Sequence, residues 1–306
     1  MNFPGNGAPH SRRHCAALAA ADVETPIRGT HMKISVVTAC YNSQATIAYT
    51  IESFLGQTHA DKELLIIDGA SKDDTVEIAQ SYGSAEIRIV SEPDRGVFDA
   101  MNKGLRLFEG EAVGFLNSDD TFHDNRALAL VAEGLSEADI AYGDLYMVTD
   151  HQTKSIVRVW RAGQFRRYAY QLGWQPPHQT LYMRRKVVER TGSFDLSYIS
   201  TSDYDYMLRA IALNDFRVCY LPHVLADFQM GGISTRNWAA TLRGTLETLR
   251  SRQVHLGAPM IDAAIFLRLV RRIFQLRRLT PYLRTENVFR PSGNSSGGQK
   301  RDKTTI

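Results

Sequence analysis

The stretch GFLNSDD, from Gly114 to Asp120, brings two adjacent carboxylates to the end of an apolar run. This pattern is typical of a buried strand that ends in polar side chains. Because hard divalent cations prefer oxygen ligands, Asp119 and Asp120 could hold Mg²⁺ or Mn²⁺, and such a cation would need an anionic partner. The alternative is that one aspartate caps a helix predicted around Arg126 to Glu133 and the other is solvated.

A further carboxylate, Asp68, ends the run ELLIID and is followed by Gly69. In nucleotide-binding sheets, an acidic residue at this point accepts hydrogen bonds from a ribose or a base. The alternative is a turn aspartate without a ligand. The sequence contains neither GxxxxGK[ST] nor GxGxxG, which disfavours a kinase, a P-loop enzyme and a dehydrogenase.

Predicted strands and helices alternate from Lys33 to Asn117. The strands are KISVVTAC, ELLIID, EIRIV and AVGFLN, and the helices between them are TIAYTIESFL, DTVEIAQSY and VFDAMNKGLRLF. This alternation predicts an α/β fold with a mainly parallel sheet flanked by helices. Because ligands of such sheets bind beyond the carboxyl ends of the strands, we expect the intervening polar loops to converge on one crevice.

Length and composition limit the class of protein. The 306 residues, 43% hydrophobic and 23% charged, can bury one large core or two modest ones. A net charge of +3 is too small to indicate a nucleic-acid partner. The sequence has no uninterrupted apolar run of about 18 residues and no secretory signal, so we expect a cytoplasmic protein. We expect residues 1–31 to be a disordered leader or the result of a misassigned start ahead of Met32, and we expect a disordered tail over 291–306.

The region 237–290 is predicted to form basic helices. Eleven arginines and three acidic residues lie between Arg236 and Arg290. One helical stripe contains the apolar residues Ile265, Phe266, Leu269, Val270, Ile273 and Leu276, with arginines beside it. This is typical of an amphipathic helix on an anionic membrane surface, here the cytoplasmic face of the inner membrane. The alternative is a helix that packs on the preceding domain with a solvated arginine face.

Four segments together resemble the nucleotide-sugar motifs of family 2 glycosyltransferases, the inverting enzymes with the GT-A fold. They are VVTACYNS, LLIIDGASKDDT, SEPDRGVFDAMNKG and GFLNSDD. The likeness extends through HQTLYMRRKVVERTGSFDLSY and TSDYDYMLRA, and is strongest to bacterial exopolysaccharide and cell-surface glycolipid transferases. It implies a GT-A catalytic domain over 32–236, with a donor half (32–122) and an acceptor half (123–236). A metal-dependent hexosyltransferase is implied, with a nucleotide-diphospho-sugar donor and a lipid-linked or glycan acceptor.

The resemblance also assigns the donor site. Tyr41 and Asp68 would lie against the base and the ribose of the donor. Asp119 and Asp120 correspond to the DxD region that holds Mg²⁺ or Mn²⁺ on the diphosphate. The family more often has an aspartate where Asn117 stands, so either carboxylate could be the direct ligand. We favour Asp120, with Asp119 shared between the metal and the ribose.

Three further donor residues are implied by the DRGVFDAMNKG segment. Gly96 would let the backbone approach the donor closely, and Asn102 and Lys103 would meet its ribose or phosphate. The alternative for Asn102 and Lys103 is an ordinary exposed helix face.

An inverting transfer needs a base that takes the proton from the acceptor hydroxyl. Asp203 of SDYD matches the family's catalytic aspartate, and Asp205 would cap or orient the following helix; alternatively, Asp203 is itself the helix N-cap. His178 and Gln179 of PPHQT lie where relatives contact the acceptor, although His178 could equally be structural. The alternative functions are a nucleotidyltransferase and a catalytically inactive protein that binds sugar nucleotides.

Overall fold

A computed structural model describes residues 31–150, 154–230 and 238–259, which form one mixed sheet with helices on both faces. The strands are β1 (Ile34–Cys40), β2 (Lys62–Asp68), β3 (Ile87–Ser91), β4 (Ala112–Phe115), β5 (Asp120–Phe122), β6 (Ile140–Val148), β7 (Ile156–Trp160), β8 (Tyr182–Arg184) and β9 (Val218–Gln229). The helices are α1 (Ile47–Leu55), α2 (Thr75–Ser81), α3 (Val97–Leu107), α4 (Ala127–Glu137), α5 (Arg185–Thr191), α6 (Ser202–Met207) and α7 (Trp238–Leu256). Helix α6 continues as a π-helical segment over Leu208–Ala212, and a 3₁₀ turn covers His178–Thr180.

The first four strands are parallel and lie in the order β3, β2, β1, β4. Their register aligns the ends of three strands, because Cys40 lies beside Asp68 and Asp68 lies beside Ser91. The carboxyl ends therefore share one edge of the sheet, as the alternation of strands and helices predicts.

The later strands extend the same sheet. Strand β8 is antiparallel to both β4 and β6, and β9 runs parallel to β6. Strands β5 and β7 add antiparallel pairs to β9 and β6. The predicted α/β class, with parallel strands flanked by helices, is confirmed, and each antiparallel pair includes a strand that follows β4 in the chain.

The GFLNSDD stretch is divided between two strands. Strand β4 ends at Phe115, and the chain then turns, with the amide of Asp120 donating to the carbonyl of Asn117 at 3.1 Å. Asp120 begins β5 and pairs with Phe228 of β9. The predicted strand AVGFLN is therefore two residues too long, and Asp120 lies within the sheet rather than beyond its edge.

Helices cover both faces of the parallel strands, because side chains alternate between the two faces along each strand. Ile34 and Val36 of β1 pack in one buried cluster with Phe54 of α1. Val37 of β1 packs in the opposite cluster with Met101 of α3. The crevice at the strand ends is thus supported from both sides by a packed apolar layer.

Only the beginning of the predicted basic region, 237–290, is described. Helix α7 covers Trp238–Leu256. The apolar stripe from Ile265 to Leu276, residues 1–30 of the predicted leader and the predicted tail lie outside the described residues. None of the helices in the described part of the chain is long and apolar enough to cross a membrane.

The contact between α3 and β1 gives a test of the packing. A Cβ atom added at Gly104 would overlap the methyl groups of Val37. Gly104→Ala should therefore lower the free energy of unfolding by about 1–3 kcal/mol, despite the better helix propensity of alanine. Urea unfolding measures this change.

The matched control is the same substitution in a Val37→Ala background, where the overlapping methyl groups are absent. There Gly104→Ala should be neutral or stabilising. An equal loss of stability in both backgrounds would contradict the proposed overlap.

Candidate active site

Two loops interlock at the carboxyl ends of β1 and β2. The amide of Asn42 donates to Ser71 Oγ at 2.8 Å, and the amide of Lys72 donates to Asn42 Oδ1 at 2.9 Å. The amide of Ser43 donates to Thr75 Oγ1 at 2.7 Å. Tyr41 lies at the start of this loop with 57% of its surface exposed. The structure thus places Tyr41 at the predicted crevice with its ring accessible.

Asp68 lies at the predicted end of β2, where it is fully buried. Its carboxylate accepts hydrogen bonds from the Ser71 amide at 3.0 Å and from Ser91 Oγ at 2.6 Å, and further ones from the Ser71 hydroxyl and the Cys40 thiol. Burial raises the pKa of Asp68, but these hydrogen bonds outweigh it and hold the pKa below its ordinary value. A direct contact between Asp68 and a ligand stays a prediction, because its partners here are protein groups.

Asp120 is also fully buried. Its carboxylate accepts from the Gln229 amide at 3.3 Å, from Asn117 Nδ2 at 3.2 Å and from the Gln179 side chain. Burial, followed by the nearby charge of Asp119, raises the pKa of Asp120 well above its ordinary value, and the hydrogen bonds only partly oppose this. All three of these hydrogen bonds to Asp120 therefore come from groups of the protein itself.

Asp119 differs from its neighbour, because it is only half-buried. Close to it in the chain, Asn117 Oδ1 is a buried acceptor that lacks a hydrogen-bond partner within the described residues. Such an orphaned oxygen is costly unless a donor or a cation satisfies it. Over the described ranges, no three His, Cys, Asp or Glu side chains form a cluster that could hold a metal ion by themselves.

Gly96 precedes α3 with φ +114°, a conformation that favours glycine. Asn102 and Lys103 of α3 are buried, so the alternative of an exposed helix face is wrong for both. The Asn102 side chain donates to the Phe194 carbonyl at 3.0 Å and accepts from the Phe194 amide at 2.8 Å. Lys103 Nζ donates to the Pro93 carbonyl at 2.7 Å and pairs with the Glu92 carboxylate at 3.0 Å. Their described contacts are structural ones.

Asp203 lies in the first turn of α6, and Thr201 occupies the N-cap position, so the interpretation of Asp203 as the N-cap is wrong. Its Oδ2 lies 3.2 Å from His178 Nδ1, and both side chains are partly exposed. The pair borders a small apolar cavity whose lining includes Met101 and Met207. The structure thus joins the predicted base to a residue predicted to contact the acceptor.

The 3₁₀ turn connects two carboxylates of the site. His178 contacts Asp203, while the next residue, Gln179, is buried and contacts Asp120. Both residues of the predicted acceptor pair therefore have carboxylate partners within the protein.

Asp205 is not available as a base, because it is buried among three donors. It accepts from Arg209 Nε at 2.8 Å, from Ser251 Oγ at 2.8 Å and pairs with His255 Nε2 at 3.0 Å. Two of these partners lie on α7, so Asp205 attaches α6 to that helix.

Glu247 of α7 is a further residue near the site, and the sequence motifs did not predict it. Its carboxylate accepts from the amides of Ile199, Ser200 and Thr201 at 3.1, 2.8 and 3.1 Å, and from Thr201 Oγ1 at 3.2 Å. These residues immediately precede α6, which carries Asp203. The available signal was that Glu247 is a rare acid in an arginine-rich segment.

Comparisons with known proteins agree with this architecture. The family model described as Glycosyl transferase family 2 matches residues 35–191. A PGL/p-HBAD biosynthesis glycosyltransferase of Mycobacterium bovis is 30% identical over 207 residues, which cover 65% of this chain and 78% of that protein.

Two solved structures share the fold. Residues 1–349 of S. aureus TarS give a TM-score of 0.58 at 20% identity, covering 76% of this chain and 68% of that one. The mannosyltransferase PcManGT of Pyrobaculum calidifontis, in complex with GDP-Man and Mn²⁺, gives 0.57 at 16% identity, covering 93% and 83%. The predicted GT-A fold is thereby confirmed, and the chain belongs to glycosyl transferase family 2.

Proposed function

We propose that the protein transfers a sugar, with inversion, from a nucleotide-diphospho-sugar to a hydroxyl of a lipid-linked or glycan acceptor. Family membership favours this over nucleotidyl transfer. The observation that carries the proposal is the position of Asp203, a partly exposed carboxylate at the crevice that is paired with His178. A neighbouring carboxylate, Asp205, is buried and fully engaged, which leaves Asp203 as the base.

The relatives support the classes of donor and acceptor. TarS has been crystallised with UDP-GlcNAc and PcManGT with GDP-Man, so both bind nucleotide-sugars. The M. bovis relative acts in PGL/p-HBAD biosynthesis, which supports a glycolipid acceptor for this chain. The exposed ring of Tyr41 at the loop after β1 suits stacking against the base of such a donor.

In the proposed reaction, an Asp203 oxygen takes the proton of the acceptor hydroxyl as that oxygen attacks the anomeric carbon. The bond between this carbon and the diphosphate oxygen breaks in the same displacement, and the nucleoside diphosphate leaves. His178 orients the Asp203 carboxylate through their 3.2 Å contact. A single displacement inverts the anomeric configuration.

The oxygen atoms near Asp119 fit a hard cation. Asp119 supplies a half-buried carboxylate and Asn117 supplies the orphaned Oδ1, and both are ligand types that Mg²⁺ and Mn²⁺ accept. When bound, the cation would neutralise charge on the departing diphosphate. The burial of Asp120 favours Asp119 as the direct ligand, in contrast to our expectation from the sequence. Asp120 then acts by holding Asn117 in place.

This assignment predicts different outcomes for the two aspartates. Asp119→Asn should abolish the Mn²⁺-dependent part of the thermal stabilisation by UDP, GDP or dTDP. Asp120→Asn should lower stability by about 1–3 kcal/mol, because its amide opposes the Gln229 amide, but should keep that Mn²⁺-dependent response. Thermal unfolding with Mn²⁺ and with EDTA measures both. The reverse pattern would return the ligand to Asp120.

Asp203→Asn should lower turnover by roughly 10²–10⁴-fold, because asparagine cannot take the proton. Donor affinity should stay nearly constant, since the base makes no necessary contact with the diphosphate. Turnover and donor affinity are measured on the same purified variant, with an acceptor found by screening lipid extracts. Near-normal turnover would reject Asp203 as the base.

Glu247→Gln tests whether α7 positions the base. The amide group would oppose the backbone donors of Ile199 to Thr201, so stability should fall by about 1–2 kcal/mol. Turnover should fall while donor affinity and the acceptor KM stay close to those of the original protein. The control is Glu189→Gln, at an exposed position of α5. Reduced stability with unchanged turnover would leave Glu247 with a structural role only.

A further inference from the structure

Helix α7 differs from an ordinary surface helix in the face that it turns to the protein. An ordinary surface helix buries an apolar stripe. Over most of α7 the face turned to the protein is polar, and Thr248, Ser251 and Arg252 on it are buried. Leu256, the last residue of the helix, packs against the apolar cluster that contains Met101. Ser251 Oγ donates to Asp205 at 2.8 Å, and Arg252 donates to Tyr204 Oη at 3.2 Å. Most of the helix is therefore attached to the domain by hydrogen bonds, and its apolar contact lies at its last residue.

The opposite face carries apolar side chains in contact with solvent. Leu242, Leu246 and Val254 are 61%, 58% and 67% exposed, and their spacing by four and eight residues places them along one side of the helix. Arg243 and Arg250 are exposed on the same side. We call these five residues the α7 outer face.

The charge of the α7 outer face is uniformly positive. Glu247 is the one acid of α7, and its carboxylate is directed to the loop before α6. Arginine side chains beside exposed leucines are the combination that binds at the boundary between lipid headgroups and acyl chains. The sequence that follows, 260–290, contains seven arginines and two acids, which extends the positive charge along the chain.

From these observations we propose that the α7 outer face binds the surface of an anionic lipid bilayer. Charge disfavours the other occupants. A symmetric contact with a second copy would bring Arg243 and Arg250 against the same arginines, and packing of 260–290 on this face would also oppose arginine to arginine. An anionic headgroup instead attracts Arg243 and also Arg250, whose guanidinium lies 5.1 Å from the centre of the Tyr198 ring, while the apolar side chains enter the acyl boundary.

The position of the α7 outer face relative to Asp203 suggests what the bilayer contact does for catalysis. This role rests on the proposed function, whereas the bilayer contact itself does not. Ile199 is 67% exposed and borders α7, since its amide donates to Glu247 at 3.1 Å. The chain runs from Ile199 directly into α6. A bilayer on the α7 outer face would therefore lie beside the segment that leads to the base, where a lipid-linked acceptor would enter.

The test uses the full chain and sedimentation with phosphatidylcholine vesicles, with or without phosphatidylglycerol. The original protein should bind only the vesicles that contain phosphatidylglycerol. The triple variant Leu242→Ser, Leu246→Ser, Val254→Ser should bind them at least roughly tenfold more weakly. The double variant Arg243→Gln, Arg250→Gln should also bind roughly tenfold more weakly, with a smaller dependence on salt.

Matched controls are Leu107→Ser and Leu213→Ser, which change exposed leucines on other elements and should bind as the original protein does. Unchanged thermal stabilisation by nucleotide and Mn²⁺ shows that the variants are folded, and it reports on the donor site independently of the bilayer contact. Vesicle binding by the triple variant equal to that of the original protein would overturn the proposal. So would a lack of binding by the original protein, or a dimer that only the triple variant dissociates.

Discussion

Burial of the Asp120 carboxylate is the constraint on which the arrangement of the crevice depends. A buried carboxyl group needs hydrogen-bond partners because it has no access to water, and here the donors come from distant parts of the chain. The Gln229 amide belongs to β9, Asn117 to the turn after β4, and Gln179 to the 3₁₀ turn. The hydrogen bonds to this one carboxyl group therefore help to hold the 3₁₀ turn, whose first residue, His178, contacts Asp203.

The acceptor side of the crevice is held by similar polar contacts across long sequence separations. Asn102 of α3 makes both hydrogen bonds of its amide with the backbone of Phe194, in the segment that leads to α6. Glu247 holds the next part of that segment from the other side. The segment that leads to Asp203 thus has two anchors, Asn102 in the donor half and Glu247 on α7. Contacts between distant parts of the chain therefore contribute to the position of Asp203.

The order of the first four strands and their helices, and the position of Asp68 at the end of β2, could be predicted, because periodicity reports local structure directly. The separate roles of the adjacent carboxylates of Asp119 and Asp120 could not be predicted. Asp119 lies in the turn after β4, whereas Asp120 begins β5 and is buried, and the sequence does not show where that boundary falls. Asn102 and Lys103 are polar residues that were expected to meet a ligand, yet their partners are backbone groups that only the fold brings near. The polar inner face of α7 could not be predicted for the same reason, since its polar residues have partners on α6 and on the preceding loop.

The central claim is a single displacement at the anomeric carbon, with Asp203 as the base. Its most direct test is the anomeric configuration of the sugar that leaves the donor, followed by NMR during turnover of the nucleotide-sugar that stabilises the protein with Mn²⁺. We predict that an α-linked donor first yields the β-configured product, whether the acceptor is a lipid hydroxyl or water. A product that first appears with the configuration of the donor would contradict the account.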